Sequence, residues 1–129
     1  LVLEDADGGA KTITASVVVP ADAFVVLGAG SGGSWAYGFT PAWFYGSLAF
    51  NNSGDLLRVV ANGEDGRLVL DETVDFSTVS VSTGASAQLD VGSTTTVAND
   101  RSTSWCAGTA PIGTSGDFGT PGAVNQSCR

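Results

Sequence analysis

Cys106 and Cys128 are the only thiols in a 129-residue chain that contains no histidine. Without histidine, a serine or cysteine nucleophile lacks its usual base, and the common zinc-ligand sets cannot be assembled. Two buried free cysteines are one reading of the pair. Both, however, lie in Gly/Ser/Thr-rich stretches with little to bury them, which favours a disulfide and an oxidising compartment. Closing that loop of about 23 residues would contribute roughly 3 kcal/mol through chain entropy.

The carboxylates are the next candidates for chemistry. Asp5 and Asp7 with Gly8 have the alternation that opens a calcium loop, where carboxylates converge on a hard cation. No later Asp or Glu completes the spacing, so they are weak metal candidates and a solvated hairpin turn is the better reading. The run Asn62-Gly63-Glu64-Asp65-Gly66 is weaker still. Asp71 and Asp75 could in principle share acid–base work. On the solvent face of one strand they would stand roughly 13 Å apart, too far for that task. Gly28 to Gly33 is glycine-rich after a strand, yet no helix or lysine follows to make a phosphate loop. No catalytic constellation emerges, and calcium is the only cofactor the residues hint at.

Trp35, Tyr37, Trp43 and Tyr45 are the candidate ligand-binding residues. Within residues 35 to 45 they could form a platform that stacks on sugar rings or a partner surface. The alternative is an inward-folded lid over an open end of the fold. Trp105 reads as packing on the disulfide or the core, and Phe118 as lying beneath the closing turn.

Charge narrows the partners. Thirteen acidic residues against five basic ones give a net charge of −8. Such a surface repels phosphate backbones and anionic membranes, and no basic patch offsets it. No apolar run is long enough to span a bilayer, and no signal peptide is visible. Secretion then implies a signal removed or placed upstream of Leu1. A hydrophobic content of 43% suits one domain with a modest core. Eighteen glycines and only 14% charged residues suit strands and turns rather than helices.

The elements that must position these residues follow from patterning. Leu1 to Glu4, Lys11 to Val19 and Ala23 to Leu27 read as an antiparallel meander, its first turn at residues 5 to 9. Residues 28 to 45 read as a loop. Asn51 to Asp55 is a tight turn by its chemistry, feeding a strand from Leu56 to Val60. Residues 62 to 66 form a hairpin connection. The return strand, Arg67 to Phe76, places Leu68, Leu70, Val74 and Phe76 on one face and Asp71, Thr73 and Asp75 on the other. Glu72 conflicts with that alternation, which a bulge or an exposed strand end would resolve. Short edge strands are expected near 79–81, 87–89 and 95–97. Residues 101–129 are then an irregular tail pinned by the cysteines. Strands at this spacing argue for a sandwich or barrel.

Several segments together resemble the lamin-tail domain in its bacterial extracellular form. They are Leu3-Glu4-Asp5-Ala6-Asp7-Gly8, Val26-Leu27-Gly28 after Pro20-Ala21, and Leu48 to Val59. To these add Glu64 to Asp71, Trp105-Cys106, and Gly119-Thr120-Pro121-Gly122-Ala123-Val124-Asn125. The resemblance implies an all-β, immunoglobulin-like antiparallel β-sandwich across residues 1–129. It also implies a non-catalytic module of a secreted or surface protein that mediates protein–protein or surface attachment. Family members begin with two further strands, whereas this chain starts after the point where they would end. The resemblance therefore leads us to expect self-association, or completion of the N-terminal edge by another segment. Two other expectations stand beside it: a carbohydrate-binding accessory domain using residues 35 to 45, and a calcium-stabilised adhesion module.

Overall fold

A computed structural model describes residues 1–32, 37–51 and 54–129. Among them the chain is all-β, its only helical pieces being 3-10 turns at Phe76–Thr78 and Ser102–Ser104. The strands are β1 (Val2–Glu4), β2 (Ala10–Thr12), β3 (Leu27–Gly28), β4 (Trp43–Phe44), β5 (Arg58–Gly63), β6 (Gly66–Glu72), β7 (Ala87–Leu89) and β8 (Trp105–Ala107). The largest sheet is antiparallel in the order β2-β1-β5-β6; β3 pairs with β4, and β7 with β8.

Turn chemistry builds the two hairpins of the main sheet. Asp5 accepts the Gly9 amide on its Oδ1 at 2.6 Å and donates its own amide to the Gly9 carbonyl at 3.0 Å, closing β1 onto β2. Glu64 and Asp65 form the two-residue link between β5 and β6, as the glycine-flanked sequence predicts. The conflict at Glu72 is settled by a bulge. Register passes from Val59↔Asp71 to Val60↔Val69, so Leu70 is the extra residue. That shift sets Glu72 opposite Arg58, where carboxylate and guanidinium pair.

Several sequence-based expectations differ from the fold. The strand expected over Lys11 to Val19 ends at Thr12, and Val18 is 73% exposed. β-branched residues favour a strand only where a neighbour supplies ladder partners and burial. The third strand of the expected meander is instead the two-residue β3, parallel to β4 in a separate sheet. Residues 79–81 are not a strand, and residues 95–97 enter a turn closed by the Ala98 amide on the Thr95 carbonyl at 2.9 Å. The segment Ala87–Leu89 is a strand, and its partner β8 lies in the tail expected to be irregular. The apolar face assigned to β6 is not covered by any described element: Leu68 is 61% exposed and Leu70 45%.

The core is correspondingly thin. Val2, Leu3, Leu48, Val60 and Val79 are buried, and so are Asp5, Asp55, Gln88, Asn99 and Ser104. With five buried polar side chains among the described residues, the interior depends on hydrogen bonds as well as on apolar burial.

Candidate functional site

The C-terminal end is held by side chains that capture backbone. Cys106 and Cys128 form a disulfide with Cα atoms 5.6 Å apart. The Gln126 Oε1 accepts the amides of Thr109 and Ala110, at 3.2 and 3.0 Å, and the Thr109 hydroxyl at 2.8 Å. Within the Gly119 to Asn125 turn, Thr120 Oγ1 donates to Asn125 Oδ1 at 2.7 Å, and Asn125 Nδ2 donates to the Leu89 carbonyl at 2.8 Å. Gly122 turns the chain at φ +72°, an angle that favours glycine. The Asp90 carboxylate accepts the Cys128 amide at 2.8 Å and the Gly92 amide at 3.0 Å, and those bonds hold its pKa below the ordinary value. This end is therefore a clamp, and its polar groups are committed to the fold.

The carboxylates near the N-terminus are committed in the same way. Asp5 is buried against Gly9, and Asp7 accepts the Asn51 side-chain amide. Asp55, only 1% exposed, collects the amides of Ala6, Asn51 and Leu56 within 2.9 Å. Burial alone would raise its pKa, but the three amides outweigh that effect and the net shift is downward. Among the described residues no group of three His, Cys, Asp or Glu is placed to hold a metal ion. Nor do Asp71 and Asp75 share a solvent face. Asp71 accepts the Asn99 side-chain amide at 2.8 Å, while Asp75 lies beyond β6 and caps the 3-10 turn by accepting the Ser77 amide.

Of the four aromatic candidates, Trp35 lies outside the described residues. Tyr37, Trp43 and Tyr45 are each half-buried. Tyr37 stacks on Phe39 with ring centroids 6.0 Å apart. Its hydroxyl bonds to the Asp117 carboxylate, which raises its pKa. Trp43 belongs to β4, opposite Leu27. Tyr45 meets Phe50 edge-on at 6.4 Å, and burial raises its pKa. The glycine-rich stretch before them is used in backbone pairing: Gly30 and Gly46 exchange amide–carbonyl bonds at 2.9 and 3.0 Å.

Phe50 leads from Tyr45 into a groove of about 570 Å³ that sequence reasoning missed. Phe76 and Trp105 also line it, their rings 5.8 Å apart and inclined at 80°. Trp105 comes from β8, and its indole N–H donates to the Asn99 carbonyl at 2.7 Å. Phe76 begins the 3-10 turn that Asp75 caps. Asn51, Ser77, Ser82 and Thr83 supply the polar part of the lining, and none of the described lining residues is ionisable. The aromatic residues come from segments far apart in sequence, so no local pattern announced the groove. The one available signal was Trp105 in an otherwise small-residue stretch.

The architecture and the site thus define an all-β domain with a stapled C-terminal end and an uncharged aromatic groove. No family model matches the chain, and no curated protein or solved structure matches it either.

Proposed function

We propose that the chain is a non-catalytic binding or structural module of a secreted or surface-exposed protein, an immunoglobulin-like sandwich that attaches to a protein partner. One observation carries the attachment. β6 lies at the edge of the main sheet, and Leu68, Val69 and Leu70 on it are 61, 39 and 45% exposed. An edge strand offers unpaired amides and carbonyls to another strand, and soluble proteins ordinarily guard such edges with charge. Here the middle of the strand is apolar, which suits an extended partner segment added alongside it. The disulfide supports an oxidising, extracellular setting. The carboxylates that could have done chemistry are held by backbone and side-chain donors instead.

The reading is tested by the binding of labelled domain to washed bacterial envelope preparations, with Leu68→Lys/Leu70→Lys as the comparison. Binding that protease treatment of the envelope abolishes, and that the double variant loses, is expected. Equal binding by the double variant, or no binding to protein-bearing envelope, overturns the proposal.

A further inference from the structure

The groove between Phe50, Phe76 and Trp105 has a chemistry of its own, separate from the β6 edge. Its volume of about 570 Å³ falls in the range of small-molecule sites. Two of its rings meet nearly at right angles, giving a corner with one flat wall and one crossing it. That corner is rigid. The indole is anchored to the Asn99 carbonyl and sits one residue before the disulfide-bonded Cys106, while Phe76 is held in a capped turn. A preorganised aromatic corner loses little entropy when a ligand settles on it. Ser82 and Thr83, both exposed, share the lining with it, as does Asn51, next to Phe50 in the chain.

The lining carries no charge although the chain bears a net −8. An anionic ligand would enter against the field of the whole chain, with no lysine or arginine in the groove to offset it. A cationic ligand would be drawn by that field and by the ring faces, but the groove lining offers no carboxylate to replace its lost hydration. The lining suits best a neutral molecule with one apolar face and many hydroxyls. A pyranose ring has that form: its C–H face lies flat on an aromatic ring while its hydroxyls reach neutral hydrogen-bonding groups.

We propose that this groove binds an uncharged saccharide, with Trp105 and Phe76 as the stacking corner and Asn51, Ser82 and Thr83 as hydrogen-bonding partners. The groove lies apart from residues 35 to 45, and Tyr45 extends its aromatic surface through the contact with Phe50.

The test is an NMR titration of the whole chain with cellohexaose, chitohexaose, maltohexaose and laminarihexaose, and with hexagalacturonate as the anionic comparison. At least one neutral hexasaccharide should give saturable shifts at Phe76, Trp105 and residues 82 to 85, and hexagalacturonate should give none there. Trp105→Ala could fail by unfolding, so the deciding variant is Ser82→Ala/Thr83→Ala, which removes two exposed hydroxyls from the lining. It should weaken binding about tenfold while leaving the dispersed spectrum intact. Four results would overturn the proposal: no neutral hexasaccharide shifting these resonances at millimolar concentration, shifts centred on Tyr37 and Trp43, equal binding of hexagalacturonate, or unchanged affinity in Ser82→Ala/Thr83→Ala. The Leu68→Lys/Leu70→Lys protein should bind saccharide like the parent, so the groove and the edge strand stand or fall separately.

Discussion

Asp55 accepts the backbone amide of Ala6 at 2.8 Å, across 49 positions of sequence. With the Asn51 and Leu56 amides it makes a three-donor anion site in the interior. The bond ties the first hairpin to the segment that enters β5, the central partner of both β1 and β6.

Replacing Asp55 by Ala leaves three amides without their acceptor. Each buried donor left unpaired costs about 1–3 kcal/mol, so Asp55→Ala should lose about 3 kcal/mol or more. The check is the urea midpoint of the variant against the parent, at constant m-value. A loss smaller than 1 kcal/mol would mean the amides find other partners.

Acid should unfold the protein from the same point. The folded pKa of Asp55 is lowered, so the unfolded chain binds its proton first. The stabilisation is full above the ordinary value of 3.8 and is lost as pH falls through the depressed folded value. Asp75 and Asp90 are lowered too, chiefly by the amides of Ser77 and Cys128, and act in the same direction. Unfolding free energy measured against pH should be flat near neutrality and drop below about pH 4. In Asp55→Asn the slope in that window should shrink without disappearing.

Reduction of the disulfide should cost about 3 kcal/mol in the chain-entropy model. Its local effect separates it from a general weakening. Hydrogen exchange should speed first at Cys128 and Ala123, whose amides are bonded within the clamp, and later in β1 and β5. Uniform acceleration across all these amides would contradict a local clamp.

Glycines at the closing end differ sharply in what they tolerate. A Cβ on Gly108 would lie 2.9 Å from the Gly119 Cα, which is backbone and cannot swing aside. Gly108→Ala should therefore cost about 1–3 kcal/mol. At Gly119 the nearest atom is the Ser86 Oγ at 2.6 Å, but the Ser86 Cβ follows at 3.3 Å, so Ser86→Ala should rescue Gly119→Ala only in part. Gly63→Ala, with nothing within 4 Å of the added carbon, should stay within about 0.5 kcal/mol of the parent. Thermal unfolding of the four variants and the parent gives the ranking.

The chain has two tyrosines, and both pKa values are raised for different reasons. Asp117→Asn removes the carboxylate that holds the Tyr37 proton, so one phenolate should form at lower pH than before. Tyr45, raised by burial, should not move. Spectrophotometric titration of the parent and the variant resolves the two.

Features set by neighbouring residues could be read directly. Residues 5 to 9 and 62 to 66 carry their turn chemistry locally, and both are hairpins. Ala87–Leu89 was legible locally, and the Cys106–Cys128 pairing because the chain holds no other cysteine. The strand expected over Lys11 to Val19 stops at Thr12 because strand propensity says nothing about whether a partner strand is present. Asp55 was not legible as an anion site, since its donors are backbone amides, which leave no mark in a sequence; Asn52 and Ser53, the middle of the expected turn, lie outside the described residues. The groove was hidden because Phe50, Phe76 and Trp105 converge from three unconnected segments.

Composition and short-range geometry are properties of the chain, and they suffice for the all-β character, the two hairpins, the disulfide and the want of histidine chemistry. Which carboxylates are consumed by backbone donors, which apolar strand lies open at a sheet edge, and which rings meet in the groove came from the fold alone. Those outcomes depend on contacts between residues tens of positions apart, where burial and hydrogen-bond geometry, rather than residue type, select the arrangement.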